Sequence, residues 1–177
     1  EETPKCLLDV GGRPLLAHLL DALAAQRIAE AVIVTGYLGE QIRAFVRGTG
    51  VGRPFPVTVV ENPRYAETNN LYSVWVSRER LLGSPCVICY ADILFHPEIL
   101  QRLLAHPNAV AVDAQVERVA GEMNVASDPQ QRVQAISKEL APRDSQAQSA
   151  QLVKFDRQGA LEVGLEVQRL VRQQHRD

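Results

Sequence analysis

The sequence predicts a three-layer α/β domain: helices on both faces of a mainly parallel sheet, with a small antiparallel extension toward the C-terminal end. Three observations carry that expectation. Short apolar, β-branched runs alternate with stretches of helical periodicity as far as about residue 113, the order that crossover-connected parallel strands produce. Those runs are apolar at successive positions, as strands covered on both faces are. From about Ala114 the pattern breaks into short segments, divided by Ser127-Asp128-Pro129 and by a polar stretch from Pro142 to Ser149, which reads as antiparallel strands with a mobile loop. At 177 residues there is room for one domain with a sizeable core, and 1–177 is read as a single domain.

Each element has its own signal. Thr3-Pro4-Lys5 forms a turn, Cys6-Leu7-Leu8 a short apolar strand and Gly11-Gly12 a second turn. Pro14 suits the first turn of a helix, along which Leu15, Leu16, Leu19, Leu20 and Leu23 recur at helical spacing. Ala31-Val32-Ile33-Val34-Thr35-Gly36 is a buried strand by its β-branched content, and 40–46 is a helix with Ile42, Phe45 and Val46 inward. Three glycines and two prolines make 48–56 a loop. Val57-Thr58-Val59-Val60-Glu61 is the next strand, punctuated by Asn62-Pro63. Leu71, Val74, Trp75, Arg78, Leu81 and Leu82 then share one helical face. A strand over 86–91 ends at Asp92, Pro97 opens a helix carrying Ile99, Leu100, Leu103 and Leu104, and Ala109-Val110-Ala111-Val112 returns to strand. Val125, Val133, Ala135-Ile136 and Leu152-Val153 mark the antiparallel segments, and a final amphipathic helix runs from 160 to about 172.

Composition narrows the function classes. With 19 basic and 21 acidic residues the formal charge is −2, so no polyanion-binding surface follows from net charge and no nucleic-acid partner is expected. No apolar run is long enough to span a bilayer and no secretory signal is visible, so a soluble cytoplasmic protein without a membrane partner is expected. Three cysteines make no disulfide framework. Cys86 and Cys89 spell CxxC, but residues three apart on a strand point to opposite faces and could not share a metal. His18, His96, His106 and His175 show no ligand spacing.

Ligands of open parallel sheets sit beyond the carboxyl ends of the strands. Gly36-Tyr37, Glu61-Asn62-Pro63 and Ala91-Asp92 fall there. A carboxylate that ends the buried run before Asp92 is rigidly held and suits Mg²⁺, which takes one or two carboxylates together with phosphate oxygens and water; a turn or helix-cap aspartate ahead of Pro97 is the plainer reading. Lys5, in its turn between packed elements, could hold phosphate oxygens or simply be solvated. Tyr72 and Trp75 could offer ring faces to a cation, although Trp75 also lies on the apolar face as a core residue would. Arg64 could meet a phosphate or stay a surface arginine.

The run Thr3-Pro4-Lys5-Cys6-Leu7-Leu8-Asp9-Val10-Gly11-Gly12-Arg13-Pro14-Leu15-Leu16 resembles the TPKxLLxVxGxPLL segment of the nucleotidyltransferases that make nucleotide-sugars and CDP-alcohols. Asp92-Ile93-Leu94-Phe95 resembles their metal-binding ADxxF pattern, and 62–75 resembles the NxxYxxxNNxYSLxxA stretch of the phosphocholine and phosphonate cytidylyltransferase branch. The resemblance covers 1 to about 138. It implies a Rossmann-like nucleotidyltransferase fold and transfer of CMP from CTP to a phosphocholine-like or phosphonate acceptor, with Mg²⁺ as cofactor and pyrophosphate released. It gives Asp92 the metal, Lys5 the triphosphate and Lys138 the acceptor phosphate. The nucleotide is assigned Gly36, Tyr37, Asn62, Thr68, Asn69 and Asn70, and the acceptor Tyr72. Ser137 stands where the sugar enzymes carry the glutamate of a Glu-Lys-Pro motif, a departure that suits a non-sugar acceptor. A sugar-1-phosphate nucleotidyltransferase and a non-catalytic nucleotide-binding domain are the alternatives. The family's glycine-rich phosphate loop precedes this segment, and its second metal-binding aspartate lies in a C-terminal run that the surroundings of Asp177 do not match. The natural protein is therefore expected to extend beyond both ends, which leaves open the activity of these residues alone, the acceptor and the oligomeric state.

Overall fold

The computed structural model describes residues 2–49, 54–81 and 83–174; Leu82, His175, Asp177 and positions 50–53 of the loop expected over 48–56 lie outside them, and Gly48 belongs to a helix. The chain opens with a 3-10 turn at Lys5–Leu7, then a two-stranded hairpin of β1 (Asp9–Val10) and β2 (Arg13–Pro14). Pro14 thus stands just ahead of α1 (Leu15–Ala25) as its cap rather than inside its first turn. There follow β3 (Ala31–Thr35), α2 (Gly39–Thr49), β4 (Val57–Glu61), α3 (Asn70–Val76), α4 (Arg78–Leu81), β5 (Cys86–Cys89), α5 (Pro97–Leu104) and β6 (Ala109–Asp113). The chain continues through β7 (Asn124–Ser127), β8 (Val133–Ser137), β9 (Ala147–Phe155) and α6 (Arg157–Gln174). No helix among the described residues is long and apolar enough to cross a membrane.

The helix expected across 71–82 is broken at Ser77. Its hydroxyl turns back onto the carbonyls of Ser73 and Val74, at 3.3 and 3.0 Å, and such back-bonding bends a helix. The result is the short pair α3 and α4.

The α/β class holds, with its weight differently placed. β3 and β4 pair in parallel from Ala31 against Val57 to Thr35 against Glu61, and every other pairing among the described residues is antiparallel. The antiparallel part is therefore a five-stranded sheet rather than a small extension. Its hub is β9, nine residues long, where only Leu152-Val153 carried a strand signal. Ala147-Gln148-Ser149-Ala150-Gln151 has little strand propensity; it is extended because neighbours pair with it from both sides. β5 and β6 both pair with Val153 and Lys154, so they occupy opposite edges of β9. β6 and β7 both pair with Gln148, so they too are opposed. Hence β5 and β7 follow one another along a single edge, and β8 pairs with β7 beyond it.

One core joins the two sheets. Leu16, Leu20, Leu100 and Leu152 are at most 1% exposed and belong to one cluster with Ile33, Ile42, Val46 and Phe55, against which Val57 and Val59 of β4 and Val87 and Cys89 of β5 pack. Burying a leucine side chain contributes about 1.5–3 kcal/mol, so this cluster fixes the strand ends relative to one another. α6 packs on α3 and α4, giving a second group of helices apart from α1 and α5, which touch each other.

Candidate active site at the strand ends

Lys5 is held by its neighbours. Pro4 and Cys6 are buried on either side of it, and the turn closes through Leu7 N–H to the Pro4 carbonyl at 2.8 Å and Leu8 N–H to the Lys5 carbonyl at 3.1 Å. The lysine itself is exposed. Gln41, in the first turn of α2, donates its side-chain N–H to the Glu2 carbonyl at 2.9 Å, tying this segment to the helix that follows Gly36-Tyr37. Burial pushes the Cys6 thiol pKa up, a backbone hydrogen bond opposes this, and the Asp92 carboxylate adds to the push. The Asp92 carboxylate is thus within electrostatic reach of the Cys6 thiol, the residue after Lys5.

Asp92 emerges through a gap in the sheet. The Tyr90 N–H donates to the Gln151 carbonyl at 3.3 Å as β5 ends, and the Ser149 N–H donates to the Met123 carbonyl at 2.8 Å as β7 approaches. Between these bonds the shared edge of β9 is open, and there the chain leaves the sheet with Asp92 exposed. Among the described residues no three His, Cys, Asp or Glu side chains cluster as a metal site. A lone exposed carboxylate still fits Mg²⁺ that takes its remaining ligands from phosphate oxygens and water.

The ends of β3 and β4 are joined by the Asn62 N–H donating to the Thr35 carbonyl at 2.8 Å. Asn62 is 2% exposed and its carboxamide is used within the chain. Its Nδ2 donates to Thr68 Oγ1 and Ser73 Oγ, at 3.3 and 3.2 Å, and its Oδ1 accepts from the Arg64 N–H at 2.9 Å. Thr68 closes the same turn by donating to the Arg64 carbonyl at 2.7 Å. Asn69 caps α3, accepting from the Leu71 N–H at 3.0 Å, and Asn70 donates to the Tyr90 hydroxyl at 2.6 Å, which draws α3 toward the β5 end. Gly36 is required by packing: a Cβ there would lie 2.4 Å from Cβ of Tyr65. Tyr65 and Tyr37 are both exposed beside it.

Tyr72 and Trp75 stack with ring centroids 5.0 Å apart. Each ring also carries a guanidinium of the chain, Arg64 at 5.5 Å from the Tyr72 centroid and Arg78 at 4.2 Å from that of Trp75. Trp75 is half-buried in this stack and absent from the main core. Lys138 is exposed just after β8, two strands out from β9; Ser137 pairs with Asn124, which in turn pairs with Gln148. Asn124, wholly buried, ties the flanking loops by donating to the carbonyls of Val119 and Leu140, both at 3.0 Å. Of the remaining candidates, His18 bonds the Val10 carbonyl and His96 caps α5, while burial pushes the Cys89 thiol up to about 11. A thiol so placed stays protonated and inert at neutral pH.

Sequence reasoning passed over Tyr65, Tyr90, Ser149 and Gln151. Tyr90 directly precedes Ala91-Asp92, and that adjacency was the available signal. Gln151 has a left-handed backbone, φ 62°, where glycine or asparagine would be the usual sign, so nothing in its residue type announced it.

Residues 1–161 match the MobA-like NTP transferase domain. The chain is 41% identical over 111 residues to CMP-5'-(3-aminopropyl)phosphonate synthase of Streptomyces rubellomurinus, an alignment covering 63% of this chain and 17% of that protein. It is 34% identical over 84 residues to choline-phosphate cytidylyltransferase of Streptococcus pneumoniae, covering 48% of this chain and 34% of that protein. The chain thus spans well under half the length of these two relatives. The solved CTP:phosphocholine cytidylyltransferase from Streptococcus pneumoniae superposes with a TM-score of 0.66 at 22% identity, over 94% of this chain and 68% of that one, and shows the shared Rossmann-like fold. With the match running through nearly all its elements, the chain belongs to the MobA-like NTP transferase domain family.

Proposed function

We propose that the protein transfers a cytidylyl group from CTP to a small phosphonate or phosphate-monoester acceptor and releases pyrophosphate. The observation that carries this reading is the chain's similarity to a phosphonate CMP-transferring synthase and a choline-phosphate cytidylyltransferase, with Lys5 exposed on its closed turn and Asp92 exposed beyond β5 as the residues suited to the chemistry. An oxygen of the acceptor attacks the α-phosphorus, the bond from that phosphorus to the β-phosphate oxygen breaks, and the electron pair leaves with pyrophosphate. No covalent intermediate on the protein is needed, so catalysis rests on alignment and on neutralising charge.

Lys5 supplies a compact positive charge from a turn whose backbone is fixed on both sides, its flexible stem carrying the ammonium to where charge builds on the leaving group. Asp92 would hold Mg²⁺, whose chemistry there is charge neutralisation on the transferred phosphate. Asn62 acts at one remove: it fixes the turn that presents Thr68, Asn69 and Asn70 to the nucleotide. Gly36 and Tyr37 border the same space from β3. Lys138 serves the acceptor phosphate, and Tyr72 borders the acceptor side.

The test is pyrophosphate release by the full-length protein. CTP with phosphoethanolamine, 2-aminoethylphosphonate or phosphocholine is expected to support turnover, and UTP, GTP or dTTP with sugar 1-phosphates is not. Turnover confined to the sugar phosphates, or none with any pair, would overturn the reading.

A further inference from the structure

Gln151 holds a left-handed backbone, φ 62°, in the middle of β9. A residue with a Cβ rarely takes that conformation inside a strand; it persists where its surroundings over-determine it, and such positions gather at ligand sites. Here its N–H donates to Ser149 Oγ at 3.1 Å and its carbonyl accepts from Tyr90 at 3.3 Å, while on the opposite edge the pairing with β6 slips between Val110 and Val112. The kink therefore sits at the opening through which Asp92 leaves the sheet.

A cavity of about 440 Å³ lies at this point, beginning at Ile93, the residue after Asp92, and bounded also by Leu94, Phe95, His96, Ser149 and Gln151. Its wall contains no carboxylate, lysine or arginine. Of its polar side chains, His96 Nδ1 accepts from the Glu98 N–H and Ser149 Oγ accepts from Gln151, whereas the Gln151 carboxamide makes no hydrogen bond among the described residues. Phe95 is the one phenyl ring in the wall, beside the His96 imidazole that caps α5. The other aromatic pair near these loops, Tyr72 and Trp75, already carries a guanidinium on each ring. A trimethylammonium group binds through several aromatic faces or a counter-charge, and this wall supplies neither. A primary ammonium or a hydroxyl needs a hydrogen-bond acceptor, which the carboxamide oxygen is.

We propose that Gln151 selects the acceptor, its carboxamide oxygen taking a hydrogen bond from a primary ammonium or hydroxyl at the far end of a small phosphonate or phosphate, so that quaternary ammonium acceptors are poorer substrates. This rests on the nucleotidyl-transfer reading above. Phosphoethanolamine and phosphocholine form a matched pair, differing only in three methyl groups, and pyrophosphate release by the full-length protein at saturating CTP compares them. The unsubstituted protein is expected to favour phosphoethanolamine in kcat/KM by about 10-fold or more, the scale of a hydrogen bond to a charged group. Gln151→Gly should erase that preference through the KM for phosphoethanolamine, leave the KM for CTP unchanged, and raise Tm by about 2 °C, because glycine takes the left-handed conformation without a Cβ. Gln151→Asn, which tolerates the same backbone with a shorter reach, should fall between. A preference for phosphocholine in the unsubstituted protein, or a ratio that Gln151→Gly leaves unmoved, overturns the role of Gln151 alone. Absence of pyrophosphate release with both acceptors overturns this proposal, and its absence with 2-aminoethylphosphonate as well overturns the nucleotidyl-transfer reading.

Discussion

The two sides of the Asp92 gap are built on different plans. On the proposed nucleotide side, β3 and β4 pair across 26 residues, but the turn at 62–68 and the start of α3 are stitched by bonds between residues close in sequence: Asn62 to Arg64 and Thr68, and Asn69 to Leu71. On the acceptor side, β9 meets β5, β6 and β7 across separations of some 20 to 70 residues, and the kink at Gln151 exists only because those strands come together. The difference teaches that the turn proposed for the nucleotide is preorganised by local chemistry, whereas the kinked strand proposed for the acceptor is a product of tertiary pairing.

The largest effect expected is chemical and falls between the two sides. Asp92→Asn should lower kcat for cytidylyl transfer by about 1,000-fold, the scale of losing a preorganised electrostatic group, with an unchanged circular dichroism spectrum and Tm. A smaller loss would move the burden of charge neutralisation to Lys5 and blur the distinction between a shared centre and two flanking subsites. Next comes Leu152→Ala in β9, 1% exposed, which should destabilise the fold by about 3 kcal/mol in urea unfolding, since it empties a site shared by both sheets. If it unfolds only the antiparallel sheet, the single core described above is wrong. Asn62→Ala should follow, at about 2 kcal/mol, because it empties a buried position and leaves the Arg64 N–H and the Ser73 hydroxyl without their carboxamide partner. Its kinetic signature should be a raised KM for CTP with the KM for acceptor unmoved, which is the sharpest separation of the two sides. Tyr90→Phe is the mildest, about 1 kcal/mol or less, removing the Asn70 contact while keeping the ring.

The sequence was legible where local signals and tertiary structure agreed. The Ala31-to-Thr35 and Val57-to-Glu61 runs are rich in β-branched residues and became the parallel pair, and the leucines of α1 became the core; the strand expected to end at Asp92 stops instead at Cys89, its residues only half-buried. Ser77 was not readable as a break, because a serine on an apolar face bends a helix only when its hydroxyl finds the preceding carbonyls. β9 was underestimated because its N-terminal half is alanine, glutamine and serine, which only pairing on both edges makes a strand. Asn62 was assigned to the nucleotide from its place at a strand end, and its residue type gives no indication that its carboxamide bonds within the turn.

The most direct measurement is a crystal structure of the full-length protein with CTP and Mg²⁺. The account predicts one triphosphate touched by the Lys5 ammonium, with the metal on the Asp92 carboxylate at the open edge of β9. A nucleotide bound so that Lys5 and Asp92 face separate surfaces would contradict it.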